Sequence, residues 1–281
     1  MPLLIDRAFT RIANGLLHYR KAGTATAAAP PVWMMHPSPT SSVSLVGLMQ
    51  AIGEGVAMLA PDTPGNGDSE PLANPAPTIG DYAAAHIDAI RSLGLERVDL
   101  YGSHTGAHIA IEIAIQAPTL VRRVVLDGIA ALNPAEAEEM LSHYAPPIEP
   151  DRFGMQFTWA WAFVRDQAWF WPWFKQNAQN NRGLAPPAPR ALHAAVVEVL
   201  KAIETYHLAY RAAFAHNPLP RLPLIAHETL VVGDEADPLA VNANQVAGLL
   251  PHAVARFVAG KDWPTINANK GIVIREFLSR A

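Results

Sequence analysis

Short aliphatic and β-branched runs recur along the chain at Leu16 to Arg20, Val32 to Met35, Val56 to Ala60, Arg97 to Tyr101, Arg123 to Asp127, Leu230 to Gly233 and Arg256 to Ala259. Each has the length and β-branched content of a buried strand. Between them lie stretches with apolar residues at helical spacing: Ile79 to Leu93, Thr105 to Gln116, Val241 to Leu250 and Lys270 to Ser279. Strands with near-continuous apolar character alternating with amphipathic helices predict an α/β fold, a mostly parallel sheet covered by helices on both faces. The alternation stops after Asp127-Gly128. From about Asn133 to Leu222 the chain is Pro-rich, aromatic-rich and helical in pattern, and Leu230-Val231-Val232-Gly233 then resumes the strand rhythm. An excursion this long inside a sheet protein predicts an inserted helical cap at 133–222 on a core built from 1–132 and 223–281.

Composition narrows the class without naming a chemistry. The 281 residues are 50% hydrophobic and 16% charged, with a net charge of −4 and no Lys/Arg cluster, which argues against a nucleic-acid partner. The N-terminal residues lack a basic region followed by an apolar core, and no uncharged run is long enough to span a bilayer. These features predict a cytoplasmic protein with no membrane partner. Zero cysteines remove disulfides, thiol nucleophiles and Cys-based metal sites.

The segment Gly102-Ser103-His104-Thr105-Gly106 follows a buried strand and opens an apolar helix. Two glycines flanking one residue at a strand-to-helix turn push that residue up, exposed and strained, beside the free N–H groups of the helix start. Upstream, Asp62-Thr63-Pro64-Gly65-Asn66-Gly67-Asp68-Ser69 carries a D-x-x-G-x-G-x-S pattern after a strand, and Gly233-Asp234-Glu235-Ala236-Asp237-Pro238 follows a late strand. Together, in this order, the motifs resemble the α/β-hydrolase fold superfamily over residues 15–132 and 223–281.

The resemblance implies a triad ordered nucleophile, acid, histidine, and this chain departs from it twice. His104 stands in the nucleophile position. Asp237 fills the acid position, with Asp234 and Asp127 as other registers. The position of the terminal histidine, within Gly260-Lys261-Asp262-Trp263-Pro264, holds Asp262. Ser103 precedes the apex and is expected to point away from the cleft. For an oxyanion hole the resemblance implies the backbone N–H groups of Thr105 and Ser38, although Pro37 alters the loop before Ser38.

An imidazole at the apex, oriented by Asp237 or Asp262, is competent near neutral pH as a general base or as a nucleophile. His104, His108 and Glu112 share a helical stripe, but without the glutamate and third ligand of a zincin helix they predict no metal, and no cofactor is expected. The pocket is expected to include His36, Trp159, Trp161, Trp169, Tyr206, Tyr210 and Trp263, since Trp and Phe crowd the segment from Phe157 to Phe174. The resulting expectation is a hydrolase acting on an ester, a lactone or a related bond of a small, largely apolar carbonyl compound, aromatic ones included. Cofactor-independent elimination, decarboxylation, cyclisation or isomerisation with His104 as base is the alternative, and a noncatalytic small-molecule receptor is a third reading. A homodimer formed through the exposed part of the Trp cluster stays open.

Overall fold

Val98–Ser103, the strand that leads into the apex, is buried at every residue and sits in the middle of an eight-stranded sheet. The computed structural model describes residues 3–24, 29–185 and 187–280. In chain order the strands are β1 (Asp6–Ile12), β2 (Gly15–Ala22), β3 (Val32–Met35), β4 (Met58–Pro61), β5 (Val98–Ser103), β6 (Val121–Asp127), β7 (Glu228–Asp234) and β8 (Ala253–Val258). They lie in the order β1-β2-β4-β3-β5-β6-β7-β8. β2 pairs antiparallel with β1 and β4, and every pairing from β4 to β8 is parallel. Parallel strands need crossovers, and these are supplied by α1 (Val46–Ile52), α2 (Ile79–Ser92), α3 (Thr105–Gln116) and α8 (Ala243–Leu249), with α9 (Trp263–Leu278) closing the chain.

Strand alternation divides the core between the two faces of the sheet. Trp33, Met35 and Leu100 pack toward α2 and α3, while Met34, Tyr101 and Val125 pack with Met49 of α1 and Ile274 of α9. Between β6 and β7 the chain inserts α4 (Pro134–His143), α5 (Met155–Trp169), α6 (Pro189–Lys201) and α7 (Tyr206–Ala215). This insertion has its own apolar cluster around Tyr144, Phe163, Tyr206 and Tyr210, with Trp159 stacked on Phe163 at 4.6 Å between ring centroids.

Three elements depart from the sequence pattern. β1 was not expected: it is an edge strand whose side chains are mostly exposed, so charged residues occupy positions where a buried strand would be apolar. α1 was not expected either, being only two turns long. α9 begins at Trp263 instead of Lys270, because Asp262 accepts the Thr265 N–H as N-cap and Pro264 sits in the first turn. The D-x-x-G-x-G-x-S segment is a turn held by Asp62, whose carboxylate accepts from His18 Nδ1–H, the Ser42 N–H and the Asp68 N–H.

Candidate active site

The turn after β5 leaves His104 with φ 51° and ψ −112°, and it is the only non-glycine residue at positive φ among the described residues. Such a conformation costs on the order of 1–3 kcal/mol and persists only where the surroundings hold it. Here α3 comes so close that a Cβ on Gly102 would lie 2.2 Å from the Gly106 carbonyl oxygen, and one on Gly106 would lie 2.3 Å from that of Met35. The His104 N–H donates to the Asp127 carbonyl at 2.8 Å, tying the apex to the end of β6. The N–H of Thr105, the first residue of α3, has no intrahelical acceptor.

The His104 ring reaches across to Asp237, which follows β7. Nε2 lies 3.2 Å from Asp237 Oδ2, within ion-pair range but off the axis of the ring N–H, so Oδ2 has no aligned donor. Oδ1 of Asp237 accepts from the Leu239 N–H at 2.9 Å, which fixes the carboxylate. Among the described residues nothing hydrogen-bonds to His104 Nδ1, and the ring is 37% exposed. Burial opposes charge on the ring, but the carboxylate of Asp237, and behind it that of Asp127, outweigh burial and hold the His104 pKa above its ordinary value of 6.5. Burial likewise opposes charge on Asp237, and His104 overrides it, leaving Asp237 with a pKa of about 2.

Below this pair lies a buried ionic cluster that motif reading did not anticipate. Lys270 of α9 places Nζ 2.7 Å from Asp127 and 2.8 Å from Asp234, and the Tyr101 hydroxyl donates to Asp127 at 2.6 Å. Burial disfavours the ammonium, yet the two carboxylates dominate and raise the Lys270 pKa. The carboxylates of Asp127, Asp234 and Asp237 lie within 4.8 Å of one another, a spacing that could hold a metal ion. Lys270 already supplies a cation to two of them. The sequence offers Asp127 and Asp234 only as partners for His104, and Lys270 sits in an ordinary-looking helix, so only the fold brings them together.

A cavity of about 460 Å³ opens above the apex, lined by His104, Thr105, Ser38, Asp237, Tyr210 and Trp263 among others. Ser103, Tyr101, Asp234 and Lys270 also reach it, along with Tyr144, Gln167, Trp171 and Arg182 from the insertion. Tyr210 donates its hydroxyl to the Ser38 carbonyl at 2.8 Å. Ser103 therefore faces the cavity, contrary to the expectation that it points away.

Several expected residues lie elsewhere. Asp262 is an exposed helix cap whose carboxylate accepts from both the N–H and the hydroxyl of Thr265, at 2.9 and 3.0 Å, and it does not line the cavity. Its sequence position mimicked a catalytic one, while an aspartate before Trp-Pro also starts a helix. His36 is buried outside the cavity; Nδ1–H donates to the Pro37 carbonyl and Nε2 accepts from the Thr63 N–H. Trp159 and Tyr206 belong to the core of the insertion, Tyr206 donating to the Pro146 carbonyl. Trp169 stacks beneath the Arg165 guanidinium and Trp161 is on the surface. Aromatic density marked a small apolar core as well as a pocket wall, and composition does not separate the two. His108 lines the cavity and pairs with His216 at 2.8 Å, and Glu112 holds His216 and Arg221, so the helical stripe joins α3 to the end of α7. Gln167, Arg182 and Tyr144 were missed because no motif surrounds them.

The profile of the Alpha/beta hydrolase family matches residues 17–273. The chain belongs to this family. Haloalkane dehalogenase 2 of Mycobacterium tuberculosis is 30% identical over 141 residues, 49% of this chain and 48% of that protein. The curated relatives it matches are covered over only 31% to 48% of their own length. Among solved structures, a hydrolase from Pseudomonas aeruginosa PA01 aligns with a TM-score of 0.73 at 18% identity, covering 98% of this chain and 99% of that one. The enol-lactonase from Burkholderia xenovorans LB400 aligns with a TM-score of 0.70 at 19% identity, covering 97% and 100%. Identities this low speak for the fold.

Proposed function

We propose that this α/β-hydrolase-family chain hydrolyses an ester, lactone or related bond of a small, largely apolar carbonyl compound, with His104 as the reacting base. The observation that carries this reading is the strained apex histidine, backed by Asp237 and facing the cavity with Nδ1 unengaged. In the reaction Nδ1 takes a proton from water as the oxygen attacks the substrate carbonyl. Asp237 stabilises the imidazolium that forms. The oxyanion is received by the N–H groups of Thr105 and Ser38, preorganised donors of the kind worth about 2.7–4 kcal/mol each. Collapse of the intermediate expels the alcohol, which recovers the proton from Nδ1. Direct attack by the ring, with water cleaving an acyl-imidazole, uses the same atoms. The insertion serves as a cap, contributing Tyr144, Gln167, Trp171, Arg182 and Tyr210 to the cavity wall.

One observation also favours proton abstraction from carbon: the residue at this apex is a base, not a hydroxyl. Elimination, decarboxylation, cyclisation or isomerisation would then run through the same pair.

Turnover of phenyl acetate and dihydrocoumarin tests the hydrolytic reading. His104→Ala should lower kcat by about 10²–10⁴-fold, the usual contribution of a general base. Ser103→Ala should leave most activity in place, and a fluorophosphonate should not label the protein. Labelling at Ser103, or full activity in His104→Ala, would overturn the assignment.

A further inference from the structure

Arg182, in the insertion, is held over the cavity by carbonyl oxygens alone. Its Nη1 donates to the Gln167 carbonyl at 2.8 Å and its Nη2 to the Ala236 carbonyl at 2.7 Å. A guanidinium carries five N–H donors in a planar fork, so these two bonds leave most of its donors over. Among the described residues no carboxylate lies within 4.0 Å of it, whereas Lys270 is in contact with Asp127 and Asp234, and Asp237 with His104. Burial is the largest influence on Arg182 and pulls its pKa below the ordinary arginine value, against the attraction of Asp237, Tyr144 and Asp234. Beside it, Gln167 has a buried side-chain nitrogen with no hydrogen-bond partner. The Tyr210 hydroxyl donates to the Ser38 carbonyl, and the Gln167 side chain lies close enough to act on that phenol. The guanidinium thus faces the cavity with donors to spare, and the Gln167 amide beside it makes no aligned hydrogen bond within the protein.

We propose that Arg182 and the Gln167 amide anchor a carboxylate of the substrate, so that the compound processed here is an apolar, aromatic-bearing acid with a second, reacting carbonyl. A carboxylate is the acceptor-only, planar, two-oxygen group that a guanidinium fork and an amide N–H suit. Tyr144, Trp171, Tyr210 and Phe214 supply the apolar wall for the rest of the molecule. Arg182 grips the carbonyl of Ala236, the residue immediately before Asp237, so the anchor stands next to the pair that would perform the chemistry. The inference rests on the reading of this cavity as the reaction site and adds the class of compound it accepts.

Isothermal titration of the full chain with phenylacetate and with phenylacetamide, a neutral mimic of similar shape, tests it. Wild type should bind phenylacetate about tenfold or more tightly than the amide, the margin a charge-assisted hydrogen bond supplies. Arg182→Met should erase that preference while leaving amide binding in place, and Arg182→Lys should restore part of it. Arg182→Lys also serves if Arg182→Met fails to fold. Gln167→Leu should weaken phenylacetate binding selectively. A merely structural Arg182 would move both ligands alike. Equal binding of the two by wild type, no binding of either at millimolar concentration, or a preference that survives Arg182→Met would overturn the proposal. His104→Ala should retain the preference: loss of turnover in that variant with equal ligand binding sinks the anchor alone, whereas unimpaired turnover with the preference intact sinks the catalytic reading alone.

Discussion

At position 128 a side chain would collide with the pair on which the site depends. Gly128 follows β6 with φ +67°, and a Cβ there would lie 2.3 Å from Asp237 Oδ2 and 2.7 Å from His104 Nε2. Gly128 therefore reads differently in the structure than in the sequence, where it only marked the end of a strand. The glycine clears the space in which imidazole and carboxylate meet. Gly128→Ala should lose activity nearly as fully as His104→Ala while staying folded, with an unfolding free energy lowered by about 1–3 kcal/mol for the strained backbone. Circular dichroism and thermal melting beside the kinetic assay would check both halves of that expectation. His104 was legible as the apex because two glycines at fixed spacing need no tertiary information. Its partner was legible only as one of several aspartates, since distance between loops after β6, β7 and β8 is a property of the folded sheet.

Helix α9 has a structural task at its start and another in its middle. Its start reads Asp262-Trp263-Pro264, and the aspartate serves the helix end by accepting the orphan N–H of Thr265, so a position that resembled a catalytic one has a local structural purpose. Its middle carries Lys270, which fastens the helix beneath the ends of β6 and β7 through Asp127 and Asp234. Both carboxylates are buried, and removing their shared cation leaves them uncompensated. Lys270→Met should therefore destabilise the protein by about 3–5 kcal/mol, read as a lower midpoint in urea denaturation. An unchanged midpoint would mean that the cluster contributes nothing net. The buried strands β3 to β7 and helices α2 and α3 were legible because apolar runs and helical spacing are local. The edge strand β1 and the short α1 were not, because exposed or brief elements carry too few apolar positions to set a period.

At the scale of the molecule, the insertion lines one side of the cavity and forms part of the outer surface. Its inner face contributes the aromatic and donor groups of the cavity, while the start of α5 and the turn before it leave Phe153, Met155, Phe157 and Trp161 exposed. An exposed apolar patch of this kind is a natural contact between copies. If it is one, light scattering should show mass rising with concentration in wild type and a constant monomer mass in Trp161→Glu; a wild type that stays monomeric would refute it. Among the described residues no helix is long and apolar enough to cross a membrane. The division between cavity wall and insertion core was closed to sequence reading, because both draw on the same aromatic residues. The central claim, that His104 acts as a base assisted by Asp237, is tested most directly by the pH profile of kcat/KM for phenyl acetate. A raised pKa means that the neutral, basic ring accumulates only as pH climbs past 6.5, so the rate should rise through an inflection above that value. In Asp237→Asn the carboxylate that raises the pKa is gone, and the inflection should move to lower pH as the maximal rate falls. A flat profile in wild type, or an inflection that stays in place in Asp237→Asn, would contradict the account.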